Sequence, residues 1–426
     1  MPSPLLLLAQ VAAILLCARV LGRALGLVGQ PKVIGEMLAG ILLGPSLLGW
    51  LAPDVSTALF PAASLGFLNA LSQIGLLFFM FLVGLELDPK LIRGREHVVV
   101  IASHASIIAP FLLGALLALF LYPRLSDDDV TFTAFALFMG AALSVTAFPV
   151  LARILSERGL TRTRLGAIAI ACAAVDDVTA WCILAAVVLI ARSADAPVSL
   201  PLMIGGSILF VLLMLTVVRR ALARLETTYT KWGFLSQDRI AAVVFMVLVS
   251  GWITERLGVH AVFGAFLAGA VMPKGESFVR AFRDRFEDVM VVLFLPLFFA
   301  FTGLRTSVAL ISGDLWMYMA LVLFVAVAGK VGGSALAARA SGMSWRESLA
   351  LGALMNTRGL MGFVILNVGL DIGVISPALF AMLVLMALAT TIMTTPLLKW
   401  IYPPRLLVHS ERTAPAEMAP VRAAQS

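Results

Sequence analysis

Residues 173–181 read AAVDDVTAW, and they place two adjacent aspartates, Asp176 and Asp177, inside an apolar run from Leu165 to Ile190. A run of this length matches the roughly 20 apolar residues that an α-helix needs to cross a bilayer. An ionisable side chain near the middle of such a helix costs about 2.5–3.5 kcal/mol on insertion scales, so these residues are rare and usually functional. The pair therefore predicts a buried site within a membrane-spanning helix.

The composition of the whole chain is that of a membrane protein. Of its 426 residues, 61% are hydrophobic and only 13% are charged, and the mean hydropathy is +1.03. Soluble domains contain about 25% charged residues. The three cysteines lie in apolar segments and give neither a disulfide framework nor a zinc spacing. We expect a transporter in the lipid bilayer rather than an enzyme, with no cofactor and no nucleic-acid partner.

Thirteen apolar segments follow one another along the chain, and the basic residues support this number. Of the 31 lysines and arginines, 25 follow odd-numbered segments and 4 follow even-numbered ones. The positive-inside rule then predicts thirteen transmembrane helices, with the N-terminus outside and the C-terminus in the cytoplasm. We expect the membrane to be a bacterial inner membrane. We predict one transmembrane domain over residues 1–401 and a short disordered cytoplasmic tail over residues 402–426. The segments are 4–23, 33–50, 64–86, 97–122, 130–155, 165–191, 199–219, 238–255, 259–273, 289–304, 314–338, 348–370 and 376–399.

Three short motifs occur twice, each time seven segments apart. They are GEMLAG (35–40) with GAFLAG (264–269), FMFLVGL (79–85) with FFAFTGL (298–304), and LSVTAF (143–148) with LMNTRG (354–359). Because seven is odd, the two copies enter the membrane from opposite sides. The sequence therefore predicts inverted-topology repeats, in which a substrate site lies near the midplane at the repeat interface.

Segments 5 and 12 carry helix-breaking residues at corresponding positions. Pro149 removes a backbone donor and is expected to clash with the carbonyl group of Val145, whereas Asn356 and Thr357 precede two glycines that weaken the helix. Irregular backbone at membrane depth survives only where protein or a water-filled cavity satisfies it. The pattern predicts two broken helices that cross, although two ordinary kinked helices remain the alternative. Arg358, beside the second break, is expected to neutralise the partial negative ends of the broken helices.

Lys330, inside segment 11, is the natural partner for one of the two carboxylates. Adjacent residues on a helix point about 100° apart, so Asp176 and Asp177 face different partners, and spacing alone leaves open which of them meets Lys330. Burial disfavours the charged form of the remaining carboxylate, which can then hold either a proton or a small cation. Ser144 and Thr146 add hydroxyl oxygens next to the first break. These residues predict an exchange of a monovalent cation for a proton.

Residues 275–289 place Phe278, Phe282 and Phe286 at helical spacing, with arginines between them. This pattern predicts an amphipathic helix on the cytoplasmic surface of the membrane. A solvated charged loop is the alternative.

Five motifs in this order carry a resemblance to a known family: GEMLAGILLGP, FMFLVGLELD, SVTAFPVLARIL, AAVDDVTAW and NTRGLMGFVILNVG. Together they resemble the second monovalent cation:proton antiporter family over residues 30–400. That family includes bacterial sodium/proton exchangers, glutathione-gated potassium efflux transporters and plant cation/proton exchangers. The resemblance implies a homodimer in which dimerisation and core subdomains interleave along residues 1–401 and the core moves like an elevator.

The resemblance also implies roles for the buried charges. It implies that Asp177 binds the monovalent cation and that Asp176 pairs with Lys330. The pair of aspartates resembles electrogenic sodium/proton exchangers, whereas the motif around Thr146 is closer to the plant-type branch, so Na⁺ and K⁺ both remain open. We expect cation/proton exchange at Asp177 with alternating access. The alternative is a sodium-coupled organic solute symporter on a related inverted-repeat fold.

Overall fold

The computed structural model describes residues 3–86, 96–158, 160, 163–192, 200–232, 236–257 and 260–402. Within these residues the regular structure consists of α-helices with short 3₁₀ and π segments, and no strand occurs. The predicted all-α fold is confirmed. The predicted disordered tail lies outside the described residues, apart from its first residue, Tyr402.

Twenty α-helices lie in the described residues. Those of the first half are α1 (Pro4–Leu27), α2 (Lys32–Leu43), α3 (Leu48–Leu51), α4 (Pro53–Leu59), α5 (Ala62–Glu86), α6 (Glu96–Leu125), α7 (Phe132–Ser144), α8 (Phe148–Glu157), α9 (Arg164–Arg192) and α10 (Leu200–Leu213). Those of the second half are α11 (Arg219–Trp232), α12 (Gln237–Arg256), α13 (Ala261–Ala270), α14 (Glu276–Val289), α15 (Leu295–Leu304), α16 (Leu315–Val327), α17 (Gly333–Ala340), α18 (Trp345–Met355), α19 (Leu360–Asp371) and α20 (Pro377–Ile401). Three π segments, at Met214–Val218, Met290–Phe294 and Ala328–Gly332, join α10 to α11, α14 to α15 and α16 to α17.

Each of the thirteen predicted apolar segments coincides with helix. In the described part of the chain, ten helical stretches are long and apolar enough to cross a membrane. Three shorter apolar helices, which are α7, α13 and most of α19, accompany them. Two of the three are short because segments 5 and 12 are each divided by a break. The number of crossings remains a prediction.

Both predicted breaks interrupt the helix completely. Between α7 and α8 the backbone is non-helical from Val145 to Ala147, and between α18 and α19 it is non-helical from Asn356 to Gly359. Pro149 is the second residue of α8, a position where the missing N–H group has no intrahelical partner to lose. The proline therefore lies in the first turn of the second half-helix, and the alternative of an ordinary kinked helix is wrong.

The repeated motifs make equivalent contacts in two places. Among the glycines of these motifs, four lie so close to a helix that carries the other repeated motif that a Cβ atom on any of them would overlap its backbone. The contacts are Gly40 against Ala300, Gly303 against Met37, Gly269 against Phe81 and Gly84 against Phe266. The first two join α2 to α15 and the last two join α13 to α5, so each of these four glycines contacts a residue whose counterpart in the repeat is contacted by the counterpart glycine. This correspondence supports the predicted inverted repeat.

Close contacts divide the helices into two groups. The frame group contains α1, α2, α5 and α12–α15, and the site group contains α6–α9 and α16–α20. The principal close contacts between the two groups are α15 against α19 and residues 308–310 against α20.

The amphipathic stretch forms α14, which continues through a π segment into α15 without a break. Phe278 and Phe282 are fully buried. Phe278 packs edge-on against Tyr229 with ring centroids 5.8 Å apart, and Phe282 stacks on Phe286 at 6.3 Å. The predicted amphipathic helix is therefore confirmed over the alternative of a charged loop, and its aromatic face packs inside the protein. Its place at the cytoplasmic surface of the membrane stays a prediction.

Candidate functional site

Lys330 is fully buried and lies in a polar cluster with Asp176. Its Nζ atom donates to Asp176 Oδ2 at 2.9 Å, to the Ser106 carbonyl oxygen at 2.8 Å and to the Ser144 carbonyl oxygen. Asp176 Oδ2 also lies 2.7 Å from Ser106 Oγ and 2.8 Å from Thr146 Oγ1, both of which can donate to it. Lys330 thus pairs with Asp176, the choice that helix spacing alone left open.

A π segment places Lys330 in this position. Residues 328–332 form one widened turn between α16 and α17, a distortion that is frequent at functional sites. Gly329 and Gly333 bring this turn against α6, where a Cβ atom would lie 2.8 Å from Pro110 Cα and 2.6 Å from Ala109 Cβ, respectively. Because these residues lack side chains, Lys330 lies close enough to α6 to reach the backbone of Ser106.

Asp177 has a different environment from its neighbour. Its side chain is only 3% exposed, and within the described residues neither carboxylate oxygen has a hydrogen-bond partner. The backbone N–H group of Phe148, the first residue of α8, interacts electrostatically with it. A helix N-terminus favours negative charge, but an unpaired buried carboxylate is costly. Such a group can be satisfied by a proton or by a small cation.

The two breaks cross in direct contact beside this pair of aspartates. The Ala147 N–H group donates to the Thr357 carbonyl oxygen at 2.9 Å, and Thr146 Oγ1 lies 2.9 Å from the carbonyl oxygen of Met355. Gly359 allows the close approach, because a Cβ atom there would lie 3.0 Å from the Cβ atom of Ala147. The non-helical backbone of each break is thus partly satisfied by the other break.

Arg358 lies at the C-terminal end of α7. Its guanidinium group donates to the carbonyl oxygens of Ala142 at 2.7 Å and Leu143 at 2.5 Å, and the side chain is 1% exposed. A cation at this end of a helix offsets the partial negative charge of the free carbonyl groups. The geometry is that expected of a residue that neutralises a half-helix end.

The remaining predicted positions lie at the second break. Thr357 Oγ1 is 3.3 Å from Thr394 Oγ1 of α20, and the backbone N–H group of Arg358 donates to Thr391 Oγ1 at 3.2 Å. Asn356 is fully buried, and neither polar atom of its side chain has a hydrogen-bond partner among the described residues. Asn356 therefore has free donor and acceptor capacity at the crossing.

Sequence reasoning missed Ser106, the residue of α6 that contacts both members of the ion pair. Ser103 and Ser106 are three residues apart in a predicted span and are both fully buried. Hydroxyl groups that repeat on one face of an apolar helix are the signal that could have identified Ser106.

A cavity of about 450 Å³ lies between the two helix groups. Its wall includes charged residues of α1, α2 and α14 and apolar residues of α8: Arg19, Lys32, Glu36, Arg283, Glu287, Phe148 and Val150. Phe148 links the cavity to the site, because it lines the cavity and its backbone amide interacts with Asp177.

Apolar helices of spanning length, two crossed breaks and buried charges beside the crossing define a membrane transporter of the discontinuous-helix type. The chain belongs to the family of transmembrane sodium/hydrogen exchangers, whose family model matches residues 11–401. The family predicted from the five motifs is thereby confirmed, and the chain is a multi-pass membrane protein.

Similar proteins from several organisms support the assignment of the chain to this family. The chain is 44% identical to the Na⁺/H⁺ antiporter NhaS4 of Synechocystis over 94% of its own length and 98% of that protein. It is 40% identical to cation/H⁺ antiporter 17 of Arabidopsis thaliana and 33% identical to K⁺/H⁺ antiporter 1 of Saccharomyces cerevisiae, and spans about half of each (49% and 47%). The fold resembles that of the sodium/proton antiporter MjNhaP1 of Methanocaldococcus jannaschii, with a TM-score of 0.62, 15% identity, and coverage of 93% of this chain and 97% of that one.

Proposed function

We propose that this chain exchanges Na⁺ or K⁺ for H⁺ across the membrane, with Asp177 as the shared binding group. One observation carries this proposal: Asp177 is buried without a hydrogen-bond partner in the described structure, whereas Asp176 next to it is held by Lys330. The names of the relatives, which include both Na⁺/H⁺ and K⁺/H⁺ antiporters, support the reaction and leave the ion open.

Competition at Asp177 couples the two ions. A carboxylate in a site of low dielectric constant holds a proton or a cation, and binding of one releases the other. Asp176 and Lys330 form a coupled pair that sets the charge carried in each cycle. Thr146, Ser144 and the carbonyl groups of the first break supply the hard oxygen atoms that suit an alkali cation.

Access alternates between the two sides of the membrane. The charged end of the cavity carries Lys32 and Arg283, which follow odd-numbered segments, so the positive-inside rule assigns this end to the cytoplasm of a bacterial cell, with the N-terminus outside. The equivalent glycine contacts support an inverted repeat. We also propose a homodimer in which each subunit has one transmembrane domain over residues 1–401 and a short cytoplasmic tail.

Proton movement in everted membrane vesicles tests the proposal. Vesicles that hold a pH gradient should lose it when NaCl or KCl is added but not when choline chloride is added. Asp177→Asn should abolish the response, whereas Asp314→Asn, at an exposed aspartate before α16, should retain it. A full response from Asp177→Asn would contradict the proposal. No loss of the pH gradient with NaCl or KCl, together with uptake of a labelled organic solute that depends on a Na⁺ gradient, would instead identify the sodium-coupled symporter.

A further inference from the structure

Four polar residues join the frame group to the site group at the C-terminal end of α15. Arg305 Nη1 lies 2.7 Å from Asp371 Oδ1 and donates to Asn367 Oδ1 at 3.2 Å. Asn367 Nδ2 donates to Thr302 Oγ1 at 2.8 Å. Thr302 and Arg305 belong to or follow α15, and Asn367 and Asp371 lie on α19, so every one of these bonds crosses between the two groups.

The cluster is shielded from solvent on several sides. The side chains of Arg305 and Asp371 are 22% and 28% exposed, and Thr302 is fully buried. The guanidinium group also lies 5.7 Å from the ring centroid of Phe301 and 5.9 Å from that of Phe380, again one residue from each group. Salt screens a partly buried ion pair of this kind less than an exposed pair, whose contribution to stability is small.

The same helix borders the cavity at its other end. Leu295 and Phe299, in the first half of α15, line the cavity, whereas Thr302 and Arg305 lie at and just beyond its C-terminus. A helix of ten residues is about 15 Å long. The two groups are therefore separated by a cavity at one end of α15 and held together at the other.

We propose that Thr302, Arg305, Asn367 and Asp371 form a clasp that closes the transport pathway on the face opposite the cavity. The clasp rests on the proposed function, because alternating access requires this face to open in turn. Opening separates Arg305 from Asp371, so the strength of the clasp sets the populations of the two access states. Arg305 follows an even-numbered segment, and the charge-based orientation therefore places the clasp outside.

Labelling of a buried cysteine tests the clasp directly. Thr306 follows Arg305 in the chain and is fully buried, and its hydroxyl group donates to the Thr302 carbonyl oxygen at 2.8 Å. A Thr306→Cys reporter, in a chain whose three native cysteines are replaced by alanine, is exposed to a membrane-impermeant thiol reagent from the outer side of right-side-out vesicles. The reporter should react slowly while the clasp is closed.

Breaking the clasp should speed up labelling. Asp371→Asn should raise the labelling rate of the Thr306→Cys reporter about three- to tenfold. This range lies between the effect of losing an exposed ion pair and the effect of losing a buried hydrogen bond to a charged group. Asn367→Ala should act in the same direction by removing both of its hydrogen bonds to the frame group, those with Arg305 and Thr302. The exchanged pair Arg305→Asp with Asp371→Arg should bring the rate back toward its original value, because the attraction is restored.

A serine at the same end of the molecule provides the matched control. Ser46 Oγ donates to the Thr306 carbonyl oxygen at 2.8 Å and accepts from the Val308 N–H group at 3.0 Å, so its contacts stay within the frame group. Ser46→Ala should leave the labelling rate unchanged. An unchanged rate in both Asp371→Asn and Asn367→Ala, or an equal increase in Ser46→Ala, would overturn the clasp. Because labelling needs no transport, it is independent of the vesicle result for Asp177→Asn.

Discussion

Replacing Lys330 by methionine removes the cation that neutralises Asp176 and should destabilise the fold. The ammonium group makes three hydrogen bonds and is fully buried, as is Asp176. Without it, Asp176 Oδ2 keeps only the hydroxyl groups of Ser106 and Thr146. Removing one partner of a buried pair costs about 3–5 kcal/mol, because the other charge remains uncompensated.

A double-mutant cycle separates this cost from ordinary loss of contacts. Lys330→Met and Asp176→Asn should each lower the free energy of unfolding by about 3–5 kcal/mol, whereas the double variant should lose far less than their sum, with a coupling of at least about 2 kcal/mol. Unfolding in mixed micelles by increasing SDS, followed by circular dichroism, measures the four values. Lys399→Met, at an exposed lysine in the last turn of α20, should change stability by less than about 0.5 kcal/mol.

Two results would contradict the reasoning. If the single effects added to within about 0.5 kcal/mol, the two residues would be energetically independent. If Lys330→Met were as stable as Lys399→Met, the buried charge of Asp176 would not need this lysine.

Three shorter predictions concern the break, the helix contacts and the competition. Thr146→Val should weaken the crossing by about 1 kcal/mol and slow transport, whereas Thr179→Val, which loses only a bond within α9, should have little effect on the rate of cation-driven proton release. Gly40→Ala should lower the unfolding midpoint, because its Cβ atom overlaps the backbone of Ala300. Gly66→Ala, with open space around it, should raise stability by about 0.5–1 kcal/mol, and an equal loss of stability in both variants would contradict the close contact of Gly40 with Ala300. If protons compete at Asp177, the half-saturating cation concentration should rise about tenfold for each unit fall in pH in the range where the proton occupies the site, and a pH-independent value would contradict competition.

The sequence predicted the helices and the buried charges because both signals are local. Apolar runs and the alternation of basic residues depend only on composition along the chain, and Asp176, Asp177 and Lys330 stand out as charges within such runs. The breaks near Thr146 and Thr357 were predicted for the same reason, because proline, glycine and asparagine weaken a helix wherever they occur.

Features that depend on distant parts of the chain were missed. The hydroxyl groups of Ser103 and Ser106 mark one face of α6, but the role of Ser106 arises only because a π segment brings Lys330 to its carbonyl group. The aromatic face of α14 has the same periodicity whether it meets lipid or protein, and only its close contact with Tyr229 decides between them. The pairing of Arg305 with Asp371 likewise joins residues 66 positions apart that no motif connects.

The four glycine contacts have a mechanical consequence. Where helices touch through main-chain atoms, no rotamer can turn to absorb a displacement, and sliding would force the backbones apart. The helices of the frame group around Gly40 and Gly269 should therefore move as one rigid unit. We expect conformational change to occur instead where longer side chains meet, along α19 and α20. The site group, which carries Asp176 and Asp177, would then move while the frame group keeps its position.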